Sequence, residues 1–126
     1  MRQAGIIAAP GIVALEQMTD RLMEDHENAR LLAAGLAEMP GIAVDLSAVQ
    51  TNTVVFTITD RRFTCETFLA AAHRRGVHLS EFKYGRIRAV VHHGTPEGQI
   101  RKALQILAEV VKAGAVEETA HAFPCE

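Results

Sequence analysis

The chain has 126 residues, 48% hydrophobic and 22% charged, and a formal charge of −2, which is the composition of one globular domain. Nucleic-acid-binding domains usually carry a basic patch and aromatic stacking platforms, so this charge and the absence of tryptophan do not favour a nucleic-acid partner. No apolar run approaches the roughly 20 residues of a membrane span and no signal-peptide pattern is present, so we expect a cytoplasmic protein without a membrane partner.

The first 17 residues have a helix-forming composition, in which Pro10 and Gly11 predict a kink. No Ser, Thr, Asp or Asn precedes this stretch to cap a helix. Its large apolar side chains need cover from another part of a longer protein: Ile6, Ile7, Ile12, Val13 and Leu15. We therefore assign residues 1–18 to a connecting helix outside the main domain.

A long amphipathic helix is predicted next, from an N-cap at Thr19 to about Met39, where Pro40 and Gly41 end it. Its apolar positions recur at steps of three and four residues: Leu22, His26, Ala29, Leu32 or Ala33, and Leu36. Residues 42–45 favour a short strand. Residues 51–59 are rich in β-branched side chains and predict the clearest strand of the chain.

A further helix is expected between an N-cap at Thr64 and a stop at Gly76. Its apolar positions have helical spacing: Cys65, Phe68, Leu69 and Ala72. Residues 77–79 are predicted to form a strand, residues 80–84 a loop, and residues 85–94 a second strand.

Thr95 and Pro96 predict the start of the last helix, with Thr95 as N-cap, and Gly114 closes it. The buried stripe of this helix is expected to be Ile100, Leu104, Leu107 and Val111. Residues 113–126 have the composition of a flexible polar tail. The order of elements predicts an α+β domain over residues 19–112, with helices on one face of a small, mostly antiparallel sheet.

Residues 85–94 carry the most informative pattern, Gly-Arg-Ile-Arg-Ala-Val-Val-His-His-Gly. On a strand the apolar side chains Ile87, Ala89 and Val91 share one face, and the other face holds Arg86, Arg88, Val90 and His92. Guanidinium groups bind carboxylates and phosphates through paired hydrogen bonds, so this second face suits an anionic ligand. From this window alone, the alternative is an edge strand whose basic residues discourage pairing.

No other pattern supplies a catalytic centre. The six histidines have no metal-ligand spacing, which excludes a metal site: His26, His73, His78, His92, His93 and His121. Cys65 and Cys125 are 60 positions apart, which supports neither a disulfide framework nor a zinc site. The three lysines stand where no amine would be desolvated for Schiff-base chemistry: Lys83, Lys102 and Lys112. We therefore expect no catalytic residue within this chain.

Four segments carry a family pattern in order and at matching spacing: residues 1–5, Met-Arg-Gln-Ala-Gly; residues 21–30, with Arg-Leu, Glu-Asp-His and Asn-Ala-Arg; residues 50–56, Gln-Thr-Asn-Thr-Val-Val-Phe; and residues 88–92, Arg-Ala-Val-Val-His. Together they resemble the low-specificity L-threonine aldolases, which are pyridoxal-phosphate enzymes of the aspartate-aminotransferase-like fold type I. The resemblance covers residues 1 to about 112. It implies that the chain is the small C-terminal domain of such an enzyme.

The resemblance implies two site residues. Arg88 matches the arginine that binds the α-carboxylate of the substrate, and Arg2 matches an arginine close to the cofactor phosphate. The Schiff-base lysine would belong to a large N-terminal domain that lies before Met1. The assembled protein is then expected to be a homotetramer that cleaves L-threonine or L-allo-threonine to glycine and acetaldehyde. The isolated chain would bind no cofactor and would be inactive.

Val91 stands where the family has threonine, so we expect this chain to lack a hydroxyl next to the carboxylate site. Two other interpretations stay open. One is a non-enzymatic module that binds an amino acid at Arg86 and Arg88. The other is the small domain of another fold type I enzyme, such as an aminotransferase or a lyase.

Overall fold

A four-stranded antiparallel sheet organises the domain. The computed structural model describes residues 2–114, and its strands are β1 (Ile42–Val44), β2 (Thr53–Ile58), β3 (Ser80–Glu81) and β4 (Arg86–Val90). Their order across the sheet is β1-β2-β4-β3, and every neighbouring pair is antiparallel. The long central strands β2 and β4 are thus adjacent although a helix (Cys65–Arg74) and β3 lie between them in sequence. The predicted α+β class is confirmed.

Three helices pack on one face of this sheet, α2 (Leu22–Ala37), α3 (Cys65–Arg74) and α4 (Glu97–Ala113). Phe68 of α3 is fully buried, with its ring edge-on to those of Phe56 and Phe63 at 6.3 and 5.6 Å. The predicted stripe of α4 is confirmed, with its first, third and fourth members buried and Leu104 partly buried. Edge-on aromatic contacts add to the hydrophobic stabilisation of such a core. Within residues 2–114 no helix is both long and apolar enough to cross a membrane.

Helix α1 (Ala4–Gln17) buries none of its residues. The helix continues through Pro10. The residue before the helix, Gln3, provides no side-chain cap, and this absence of a cap agrees with the sequence. Its large apolar side chains are exposed, Ile6 and Leu15 by 77% and 73%. Ile7, Ile12 and Val13 are exposed as well. This helix therefore receives no stabilisation from the core of the domain.

Two of the three threonines predicted as N-caps, Thr19 and Thr95, have other roles. Thr19 opens a 3-10 turn (Thr19–Arg21), and its hydroxyl donates to the carbonyl of Leu15 at 3.4 Å. A capping residue needs an extended backbone, whereas the residue before α2, Arg21, is already helical, so no side chain caps this end. The Thr95 hydroxyl accepts from the amide of His92 at 2.8 Å and donates to its carbonyl at 2.6 Å. The N-cap position of α4 consequently falls one residue later.

The strand predicted at residues 77–79 is wrong. The end of α3 takes the Val77 amide, which donates to the carbonyl of Ala72 at 3.0 Å, and the amide of Gly76 donates to His73 at 2.9 Å. These two hydrogen bonds satisfy the last carbonyls of the helix, and Gly76 has a φ of 87°. Pairing with β4 begins only at Ser80, inside the segment predicted as a loop. By contrast, Thr64 caps α3 as predicted, through the amide of Thr67.

One corner joins the end of β2 to the last turn of α4. The carbonyl of Gly41 accepts from the amides of Thr59 and Asp60 at 2.8 and 3.3 Å. The guanidinium of Arg62 contacts both carboxylate oxygens of Asp60, and its Nη2 donates to the carbonyl of Val111 at 3.2 Å. The hydrogen bonds from the side chain and amide of Arg62 hold the pKa of Asp60 below its ordinary value. The corner therefore depends on one glycine and one ionised carboxylate.

We predict that Gly41→Ala destabilises the protein. Gly41 has a φ of 84°, and an added Cβ would lie 2.7 Å from the Cβ of Asp60. The left-handed backbone alone costs a non-glycine residue roughly 1–2 kcal/mol, so the free energy of unfolding should fall by at least about that much. The matched control is Gly98→Ala in the first turn of α4, where an added Cβ meets open space and alanine should stabilise by up to ~1 kcal/mol. Urea denaturation measures both, and equal effects would contradict the prediction.

The ionised Asp60 also makes stability depend on pH. Because the folded-state pKa of Asp60 is lowered, its contribution is present above the ordinary pKa of aspartate and is lost as pH falls through the lowered value. We expect the stability of the wild-type chain to decline more steeply between about pH 5 and pH 2 than that of Asp60→Asn. Denaturation at each pH tests this, and an ordinary pKa for the Asp60 carboxyl in an NMR titration would contradict it.

Candidate functional site

Strand β4 separates an apolar face from a basic one. Ile87 and Ala89 are buried beneath the helices, while Arg86, Arg88 and Val90 are exposed on the opposite face of the sheet. The alternation predicted for residues 86–90 is therefore confirmed. Since the helices occupy only one face, the two guanidinium groups stand on a surface that no helix of the described chain covers.

The side chains that neighbour Arg88 on this face are small and carry no carboxylate. Residues paired directly across an antiparallel ladder share a face, and Arg88 is paired with Val55 of β2 and Ser80 of β3. Arg86 is paired with Thr57 of β2. Within residues 2–114 neither arginine has a carboxylate partner. Both guanidinium groups therefore keep donors available for an anion from outside the domain.

A phenylalanine supports both arginines. The guanidinium carbons of Arg86 and Arg88 lie 5.3 and 5.8 Å from the ring centroid of Phe82, within cation–π range. Phe82 begins the β3–β4 turn, where its amide donates to the carbonyl of Arg86 at 2.7 Å. The turn also holds Tyr84 at a φ of 53°, an uncommon conformation for a residue other than glycine. The sequence analysis did not assign Phe82, and its position three residues before the Gly-Arg-x-Arg strand that begins at Gly85 was the available signal.

The loop that follows β4 is fixed by residues from three of the family-like segments. The side-chain amide of Asn52 donates to the carbonyl of Val91 at 2.7 Å, and the amide of Val91 donates to the Asn52 carbonyl at 2.8 Å. Asn28, 7% exposed, donates to the carbonyl of Thr95 at 3.4 Å. Arg21 contacts the Nε2 of His93 at 2.9 Å. These segments therefore meet in space at the end of the arginine strand.

The expectation that Val91 borders the carboxylate site is wrong. Val91 is 1% exposed and continues the buried face of Ile87 and Ala89, one residue out of phase with Arg88. A valine at this position therefore adds to the core, and the missing hydroxyl does not face the arginines.

Arg2 lies apart from the β4 arginines. It is exposed in the turn before α1, and α1 contacts the 3-10 turn that follows it. No contact within residues 2–114 places Arg2 beside Arg88, so the described chain does not bring the two predicted site residues together.

The remaining histidines and Cys65 lie apart from the β4 arginines in sequence. Within residues 2–114 no cluster of histidine, cysteine, aspartate and glutamate could hold a metal ion. His26 is half-buried on α2, and His73 is exposed with its ring edge-on to His78 at 4.3 Å. Burial, together with the charge of Glu81, raises the pKa of Cys65, so this thiol stays protonated and is a poor nucleophile. Cys125 and His121 lie outside the described residues.

Residues 2–114 do not form a pyridoxal-phosphate site on their own. A Schiff-base lysine reacts as a neutral amine and is usually held in a desolvated pocket, whereas Lys83, Lys102 and Lys112 are all exposed. Arg88 fits the carboxylate of an amino acid, which is a substrate group. The described residues therefore leave donors open to a carboxylate at Arg88, while each of their three lysines is exposed.

Comparison with known proteins shows what this domain is similar to. The model of the β-eliminating lyase family matches residues 1–59. Low-specificity L-threonine aldolase 1 of Arabidopsis thaliana is 34% identical over 112 residues, which is 88% of this chain and 31% of that protein. This chain is similar to the β-eliminating lyase family over residues 1–59 and to the threonine aldolases over most of its length. The predicted relationship to the threonine aldolases is thereby confirmed. The low-specificity L-threonine aldolase of Escherichia coli K12 is 55% identical over 38 residues, covering 30% of this chain and 11% of that protein.

Solved structures place the fold among the fold type I pyridoxal-phosphate enzymes. The cystine C-S lyase C-DES in complex with cysteine persulfide is 25% identical with a TM-score of 0.63, covering 69% of this chain and 23% of the lyase. A C-DES mutant with glycine covalently linked to its pyridoxal-phosphate cofactor shares the fold at a TM-score of 0.69 and 23% identity, covering 84% and 28%. The chain spans about a third of the length of the Arabidopsis relatives and about a quarter of the length of these neighbours.

We predict that Asn52→Ala weakens the domain by about 1–3 kcal/mol, because it removes the donor that satisfies the Val91 carbonyl at the end of β4. Gln50→Ala is the control, since Gln50 is exposed two residues earlier on the same segment. Chemical denaturation measures the difference. Equal stabilities of the two variants would show that the Asn52 bond does not hold the end of the strand.

Proposed function

We propose that Arg88 binds the α-carboxylate of an amino acid in a pyridoxal-phosphate-dependent aldolase that cleaves L-threonine or L-allo-threonine to glycine and acetaldehyde. The observation that carries the proposal is the position of Arg88, exposed on the open face of the sheet, stacked near Phe82 and without a carboxylate partner in residues 2–114. The match of Arg88 to the family's carboxylate-binding arginine supports it. A bidentate guanidinium–carboxylate pair fixes both the position and the rotation of its ligand.

The rest of the active site would come from a large pyridoxal-phosphate-binding domain. We propose that α1 connects to and packs on that domain, which would cover the exposed Ile6, Ile7 and Leu15. Arg2, at the start of α1, would then lie near the cofactor phosphate. A homotetramer, as in the family, is the assembly we propose, and the isolated chain would be inactive. Pyridoxal phosphate would supply the electron sink for carbanion chemistry.

A β-eliminating lyase is the second candidate. It is favoured by the family model over residues 1–59 and by the 25% identity to the cystine C-S lyase C-DES. Arg88 would hold the same carboxylate in either reaction, so the arginine does not separate them. Product analysis does, because an aldolase releases glycine and acetaldehyde from threonine, whereas a lyase releases pyruvate and a sulfur compound from a cysteine derivative.

The dependence on a second domain can be tested on the chain alone. We expect added pyridoxal phosphate followed by borohydride to leave no single lysine stoichiometrically labelled, and L-threonine to remain uncleaved. Peptide mass spectrometry after reduction reads the first result, and an acetaldehyde assay reads the second. One uniquely labelled lysine together with aldolase activity would overturn the two-domain proposal. Specific binding of glycine or threonine by the chain alone would favour the non-enzymatic module instead.

The role of Arg88 requires the chain assembled with a pyridoxal-phosphate-binding large domain, its own or that of a threonine aldolase. There we predict that Arg88→Ala lowers kcat/KM for L-threonine by about 10- to 100-fold, mainly through KM, as expected for a lost charged hydrogen bond. Arg88→Lys keeps the charge but not the paired geometry and should fall in between.

Arg86→Ala is the matched control on the same face of β4, with the same Phe82 contact, and we expect it to change kcat/KM less than threefold. Binding of threoninol, which lacks the carboxylate, should be unaffected by Arg88→Ala. An equal loss in both arginine variants, or an equal loss with threoninol, would show that Arg88 does not act on the carboxylate.

A further inference from the structure

A cavity lies on the face of β4 opposite to the two arginines. It has a volume of about 510 Å³ and is bounded by α2, the first half of α4, the buried face of β4 and residues 75–79. Residues 77–79 form no strand, because the sheet pairs with β3 only from Ser80 onward, and this leaves a gap beside α4. A concavity of this size is in the range of small-molecule sites. No role in the proposed aldolase chemistry uses it.

The floor and walls of this cavity are apolar. Leu36, Phe56 and Leu107 lie beneath the cavity and are each no more than 1% exposed, so the apolar surface open to a ligand belongs to the walls. Half-buried Val77 and Ile106 line the walls on opposite sides, one on the segment after α3 and the other on α4. Such a lining binds a hydrocarbon chain or ring by removing its surface from water.

The rim is cationic. Arg75 and Lys102 stand on opposite sides of it, on the segment after α3 and on α4, and His78 and His92 complete it. The Nδ1 of His92 accepts from the amide of Gly94 at 3.0 Å, which leaves the ring proton on Nε2 as a donor.

Within residues 2–114 no aspartate or glutamate lines this cavity, and neither Arg75 nor Lys102 has a carboxylate partner. This concentration of positive charge stands out in a chain whose formal charge is −2. Half-buried apolar walls beside two cations without a carboxylate partner in the described residues are complementary to a ligand with an anionic head and an apolar tail.

We propose that this cavity binds a small amphipathic carboxylate, with its hydrocarbon tail against the half-buried walls at Val77 and Ile106 and its carboxylate between Arg75 and Lys102. Arg88 takes no part, since its side chain lies on the other face of the sheet. The site is therefore independent of the proposed substrate site. Occupation would cover the apolar walls at Val77 and Ile106.

Isothermal titration of the 126-residue chain with octanoate, below its micelle-forming concentration, tests the proposal. Three probes divide the ligand into its parts: 1-octanol keeps the tail without charge, octylammonium reverses the charge, and acetate keeps the head alone. We expect octanoate to bind about tenfold more tightly than octanol or octylammonium, and acetate not to bind. Equal binding of octanoate and octanol, or no binding of octanoate, would overturn the proposal.

Two lysines of α4 provide a matched pair of variants. Lys102→Gln should weaken octanoate binding by about tenfold and leave octanol unaffected, since it removes one charged hydrogen bond. Lys112→Gln changes the same residue type on the same helix outside the cavity and should leave both affinities unchanged. Both lysines are exposed, so neither variant should disturb folding. An equal loss in the two variants would show that octanoate responds to net charge and would overturn the site.

Discussion

The register between β2 and β4 is the constraint on which the rest of the domain depends. Phe56 pairs with Ile87 on the helix-covered face, and Val55 pairs with Arg88 on the open face. Because side chains alternate along a strand, a slip of β4 by one residue would bury Arg88 and expose Ile87 and Ala89. A buried guanidinium without a partner is far more costly than the loss of any single apolar contact, so the arginines help to specify the register. Core packing and the candidate site are therefore consequences of one pairing.

This register is secured at its far end by residues that the family pattern contains and that carry no chemistry of their own. Asn52 extends the ladder by a backbone and a side-chain bond to Val91. Asn28 of α2 and Arg21 of the preceding 3-10 turn reach the same loop. Segments that are separated in sequence thus converge on the exit of β4. These hydrogen bonds therefore fix the end of the strand that carries Arg88.

The parts of the fold that depend on periodicity could be predicted from the sequence. The β-branched run around β2, the alternation of β4 and the helical spacing on α4 each reflect burial on one face, and burial is what the structure shows. The prediction failed where a residue had competing partners. Val77 could pair in a sheet or satisfy the end of α3, and Thr95 could cap α4 or close its own turn. Local propensity does not decide such cases, because the outcome depends on which partner lies nearby in space.

The same distinction explains why the sequence indicated Arg86 and Arg88 but not Phe82. Arg86 and Arg88 are read directly from alternation, but the contact of Phe82 with both depends on the turn that returns the chain from β3 to β4. Residues two positions apart on one strand have Cα atoms separated by about 7 Å, so two guanidinium groups at such positions repel each other. The aromatic ring offsets part of this repulsion, and an anion bound between solvent and sheet would offset more. Because β4 lies inside the sheet, the two arginines belong to an open face and not to a basic edge strand, and a carboxylate would reduce their mutual repulsion.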